Sequence, residues 1–154
     1  MGLAALAVTA ADAVFLWGPL AEPQVLAAVL GPVPPLVPAR LDGATVLGDG
    51  EAEMPRLVPQ TGAAAEGALA MLDGAAIARL RFYCAGVAPL WQTAEAVTAE
   101  GPVHCRLPAT EVAADASRPS PVWDATAWRQ HWAATVVSTA GDVMALFGQA
   151  EAAD

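Results

Sequence analysis

From Ala13 the run Ala13-Val14-Phe15-Leu16-Trp17 is apolar at every position, and Gly18 and Pro19 end it. An unbroken apolar run of this length predicts a buried strand over residues 12–18 rather than a half-exposed one. Pro23 then occupies a natural first helical position, with Glu22 beside the positive end of the helix dipole. Val25, Leu26, Val29 and Leu30 share one face and Gly31 supplies the stop, so residues 23–30 read as a short helix.

Four prolines between 31 and 38 dictate an extended connection. Three strands are expected next: 40–47, 56–58 and 66–72. Gly48-Asp49-Gly50 and Thr61-Gly62 are the turns between them. Asp73 is a helix N-cap, and Ile77, Leu80 and Cys84 recur at i, i+3 and i+7 on one helical face. Further strands fall at 90–97 and 103–107. In the second, Val103, Cys105 and Leu107 point one way and His104 and Arg106 the other. Residues 109–121 read as a loop. Asp124 caps a final helix over about 124–147, striped by Trp128, Trp132, Val136, Val143 and Phe147. Gly141 predicts a bend or a close contact inside it, and Gly148 its end, with 149–154 as a frayed tail.

Composition narrows the function classes. The chain has 154 residues and fits one domain, with a core spanning about 12–148. Its seven basic residues are all Arg and its net charge is −9, without a basic cluster. That charge excludes the electrostatic footprint of a nucleic-acid partner or an anionic membrane surface. Cys84 and Cys105 are too few for a disulfide framework, and no metal-type spacing occurs, so no cofactor is expected. The apolar segment 2–11 lacks the basic start of a signal peptide and is shorter than a membrane span of ~20 residues. A reduced, cytoplasmic setting is the expectation.

Two segments carry candidate chemistry: Phe15-Leu16-Trp17-Gly18-Pro19-Leu20 and Arg81-Phe82-Tyr83-Cys84-Ala85-Gly86. They resemble the two site-forming segments of the gamma-glutamylcyclotransferase-like family, the first usually Tyr-Gly-Thr/Ser-Leu, the second with a glutamate just before its glycine. Pro38-Ala39-Arg40-Leu41-Asp42-Gly43, Met54-Pro55-Arg56-Leu57-Val58-Pro59 and Ala65-Glu66-Gly67-Ala68-Leu69 are similar to further family stretches in the same order. The Trp-rich final helix resembles the end of such domains in bacterial proteins where one is fused to a Nudix hydrolase. The resemblance implies an α+β fold, a mixed sheet curled into a partial barrel with helices around it. It also implies a ligand of the gamma-glutamyl type, held at Trp17, Gly18, Pro19 and Leu20. In active relatives a glutamate moves protons while the substrate's amine closes on its side-chain carbonyl to give 5-oxoproline. Cys84 stands at that position here, Trp17 replaces the tyrosine, and Pro19 removes a backbone N–H.

Each candidate has a plainer reading. Cys84 is a nucleophile with His104 as base, or a small apolar residue facing the core. Glu66 is a substitute carboxylate, or a polar position on the outer face of a strand. Trp17 lines a cavity or fills one. Two functions follow: a catalytically silent binding or accessory domain, or an enzyme on gamma-glutamyl amides with a changed catalytic residue.

Overall fold

The computed structural model describes residues 12–48, 55–110 and 121–153. The expected turn residues Asp49 and Gly50, Met54 of the second family stretch, segment 2–11 and most of the 109–121 loop lie outside them. Five described strands, β1 (Asp12–Trp17), β2 (Val37–Leu47), β3 (Arg56–Leu72), β4 (Leu90–Thr98) and β5 (Gly101–Ala109), close into a barrel ordered β1-β3-β2-β4-β5. Neighbouring strands run antiparallel except β1 and β5, which meet in parallel at Val14 and Arg106. Four described helices accompany them: α1 (Pro23–Leu30), α2 (Gly74–Cys84), α3 (Ala125–His131) and α4 (Ala133–Ala153). A 3-10 turn at Gly18–Ala21 links β1 to α1.

The alternation of a strand sorts β1 into two cores. Phe15 and Trp17 point into the barrel, where the lining is largely small: Ala39, Ala44, Ala65, Ala88, Ala96 and Ala109. Val14 and Leu16 point outward, under Leu26 and Val29 of α1, Leu80 and Cys84 of α2, and Val136 and Met144 of α4. Both faces are dry, which is why the sequence shows an unbroken apolar run there. The small residues inside the barrel suit it, since two large aromatic rings leave little room in a narrow barrel.

Side-chain bonds fix the helices. Asp73 Oδ1 accepts from the N–H of Ala76 at 2.8 Å, and Asp124 Oδ1 accepts from Thr126 and Ala127. Arg79 Nε donates to the Val29 carbonyl at 2.7 Å, satisfying a last-turn acceptor of α1. Arg129 grips Glu22 with two nitrogens, tying α3 to the start of α1.

Two expectations are corrected. The strands placed at 56–58 and 66–72 are one strand, β3, because Thr61-Gly62 is not a reversal. The register against β2 shifts between Asp42 and Ala44, and Gly43 and Gly62 both take positive φ (81° and 85°). Glycines in the left-handed region absorb the extra residues as a bulge, so pairing resumes beyond it. The final helix also differs. It breaks at Trp132, whose φ of −120° and ψ of −20° leave the helical range, and the second piece runs through Gly148 to Ala153. Gly141 answers to no close contact, since a Cβ there would meet nothing within 4 Å, and α4 runs through it. Trp128 is buried at 2% exposure, whereas Trp132 packs only partly against the same core.

Glycine therefore has opposite meanings at two positions. At Gly67 a Cβ would lie 2.1 Å from the Leu16 carbonyl oxygen and 2.9 Å from the Phe15 ring. Gly67→Ala is expected to lose at least about 3 kcal/mol of stability, in the range of severe overpacking. Gly141→Ala, on an open helical surface, should gain about 0.5–1 kcal/mol. Thermal melts of the two variants beside the parent test the pair. Equal melting of Gly67→Ala and parent would refute the close β1–β3 approach.

Candidate functional site

Local geometry at the end of β1 follows from three residues. Gly18 has φ of +56°, and a Cβ on it would press on Pro55 Cγ at 3.2 Å, so glycine suits the turn twice over. Pro19 takes the first turn of the 3-10 segment, where its missing N–H leaves no intrahelical bond unmade. Its carbonyl accepts from the Glu22 N–H at 3.1 Å.

Trp17 fills space. It is fully buried among the barrel residues, and its indole N–H donates to the Pro108 carbonyl at 2.6 Å. Leu20 is equally buried, but in the helical layer. Of the four residues expected at a ligand, Pro19 borders an open cleft.

That cleft, about 230 Å³, lies where the Pro19 turn, the end of α2 and the middle of α4 converge. Pro19, Tyr83 and Val136 make its buried floor; Phe82, Gly86 and Thr139 form an exposed rim. Val87 and Val143 complete it. Val136, Thr139 and Val143 fall at i, i+3 and i+7 of α4, a spacing the sequence displays. Thr139 interrupts the apolar stripe, and that interruption was the available signal for an exposed rim. The sequence places Val136 and Val143 on one apolar stripe of the final helix without marking a cleft beside them.

Cys84 is fully buried one residue from this floor, within the helical layer. Its carbonyl accepts the N–H groups of Val87 and Ala88 at 3.1 and 2.7 Å, which ends α2 and turns the chain into β4. Burial pushes the thiol up to about 12, with no charged or hydrogen-bonding group among the described residues contributing. His104 does not stand beside it. That residue is exposed on the outside of β5, opposite Glu95 of β4. Cys105 is buried on the inward side of β5, and burial raises its thiol as well, partly offset by a backbone hydrogen bond. Both cysteines are free thiols.

Glu66 is exposed on β3, across from Arg40 of β2. It borders one cleft of about 550 Å³ with Thr45 and Trp123 and another of about 340 Å³ with Arg40 and Thr98. No residue of α2 lines either, so the structure gives Glu66 and Cys84 no shared cleft. Among the described residues no group of three His, Cys, Asp or Glu side chains could hold a metal ion. No described helix is long and apolar enough to cross a membrane.

Comparison with known proteins agrees with this architecture. No family model matches the chain, and no curated protein does. Among solved structures it is similar to an Arabidopsis thaliana protein studied in solution, with TM-score 0.64 and 18% identity over 89% of this chain and 93% of that one. A second Arabidopsis thaliana solution structure aligns with TM-score 0.62 and 23% identity, covering 84% of this chain and 79% of that one. A gamma-glutamyl cyclotransferase structure aligns with TM-score 0.56 and 13% identity over 66% of this chain and 67% of that chain. What is shared is the fold, a gamma-glutamylcyclotransferase-like α+β arrangement around a small five-stranded barrel.

The two buried residues give separate tests. Trp17→Phe removes the donor to Pro108 and part of the barrel filling, at an expected cost of about 2–4 kcal/mol in denaturant unfolding. A cost below about 0.5 kcal/mol would mean that the bond contributes nothing net. Cys84 should resist thiol reagents at neutral pH until the protein unfolds. Its folded pKa is raised, so its contribution to stability is complete below the ordinary thiol value of 9.0 and fades as pH rises toward about 12. Melting points of parent and Cys84→Ala across pH 7 to 11 should show the parent losing more stability at the alkaline end. Parallel curves would refute the buried neutral thiol.

Proposed function

We propose that this chain is a catalytically silent gamma-glutamylcyclotransferase-like domain that binds a small molecule or serves as an accessory domain. The observation that carries this reading is Cys84, which stands where the resembling family has its proton-moving glutamate and is fully buried in an apolar layer. A proton shuttle must give and take a proton near neutral pH, worth typically 10²–10⁴-fold in rate. A thiol held neutral up to about 12 does neither. Trp17 supports the same reading, because the ring at the family's tyrosine position is consumed in packing the barrel. An accessory role beside a catalytic partner, as in domains of this kind joined to Nudix hydrolases, fits such a domain.

The alternative is an active enzyme on a gamma-glutamyl amine that uses Glu66. Its support is that Glu66 is a carboxylate open to two clefts. Against it, neither cleft is lined by Trp17, Gly18, Pro19 or Leu20, and the larger one meets that turn at Ala21 alone.

Incubating the protein with a panel of gamma-glutamyl dipeptides and amines should release no 5-oxoproline above an enzyme-free control. Turnover abolished by Cys84→Ala would overturn the silent reading and make Cys84 catalytic. Turnover that survives Cys84→Ala but vanishes in Glu66→Gln would establish the alternative.

A further inference from the structure

We infer that the cleft between α2 and α4 is a binding site for a small neutral, apolar molecule. This names the ligand class for the binding role proposed above and rests on that reading. The cleft's volume, about 230 Å³, exceeds the ~150 Å³ that takes up benzene in an engineered protein cavity, so a single aromatic or short branched group fits.

The lining decides the chemistry. Pro19, Tyr83, Val87, Val136 and Val143 are apolar or aromatic, and among the described residues no charged side chain lines the cleft. A free gamma-glutamyl end carries an ammonium and a carboxylate, and both would enter without a counter-charge, at a large desolvation cost. The net charge of −9 adds a repulsive field against anions. A neutral apolar guest meets neither penalty and covers surface otherwise left to water. Thr139, at the exposed rim, offers a hydroxyl to one polar atom at the outer end of such a guest.

The cleft is also held open. Phe82, on its rim, meets Phe147 of α4 edge-on with ring centroids 5.1 Å apart. The Arg79 guanidinium lies over the same Phe147 ring at 5.5 Å. These contacts join α2 to α4 beside the cleft and oppose its collapse, while Phe82, 37% exposed, leaves the mouth open to solvent.

The test is a thermal melt of the full chain with indole, and separately with gamma-glutamyl methylamide, followed by fluorobenzene 19F NMR. Indole at ten times its Kd should raise the melting point by about 2–5 °C, and fluorobenzene should broaden and shift on adding protein. Thr139→Phe, at an exposed rim position, should cover the mouth and abolish both effects without lowering the melting point of the free protein. Thr139→Ala should keep the fluorobenzene signal, showing that the apolar floor suffices. No shift with either apolar probe would overturn the inference, as would shifts that persist in Thr139→Phe. Binding of gamma-glutamyl methylamide without indole would also overturn it, while leaving a silent binding domain intact. Release of 5-oxoproline would instead strike the proposed function, and it has its own readout.

Discussion

Closure of the barrel rests on the Trp17 side chain more than on backbone pairing. The parallel seam between β1 and β5 has one register pair, Val14 with Arg106, and β5 carries two prolines that cannot donate to it. Across that seam the Trp17 indole donates to the Pro108 carbonyl at 2.6 Å, in a buried site where an unmet acceptor would cost about 1–3 kcal/mol. The second sparse seam, β2 with β4, is likewise joined at one pair, Arg40 with Val97. With so few ladder bonds at two seams, the barrel depends on what fills it. Phe15 and Trp17 do so against a wall of alanines, and Gly67 lets β3 approach closely enough to close on them.

This requirement reaches the candidate site through the chain itself. Trp17 is followed directly by Gly18 and Pro19, so anchoring the ring also sets the 3-10 turn that faces the end of α2. The opposite face of β1 receives α1, α2 and α4, and there Cys84 packs with Leu16, Leu80 and Tyr83. A carboxylate at position 84 would have to be neutralised or solvated in that layer. A thiol is at ease there. The packing at position 84 thus favours a small neutral residue over a charged one.

Much of the fold was legible because its signals are local. The β1 run, the Pro23 start and Gly31 end of α1, the Asp73 and Asp124 caps and the alternation in β5 each reflect forces acting within a few residues. The failures have the same logic reversed. Thr61-Gly62 has the chemistry of a turn, and only the partner strand decides whether it reverses the chain or makes a bulge. The break at Trp132 is tertiary too. Trp132 has no special backbone preference, and a continuous helix through it is what periodicity predicts. Gly141 and Gly148 are poor helix formers that a long packed helix carries at small cost.

The candidate site was legible in part. That Pro19 and the end of α2 share a cleft could be expected from the resemblance, whereas its third wall could not. That wall comes from Val136, Thr139 and Val143, far along the chain and spaced like ordinary core residues. Their arrival changes what the cleft can hold. Pro19 has no N–H and the N–H groups of Gly86 and Val87 at the end of α2 are already bonded, so the aliphatic third wall leaves any charge there unpaired. A shape shared with a fold therefore does not bring a ligand with it, and under the proposed reading the last helix packed against the cleft sets the chemistry of the guest.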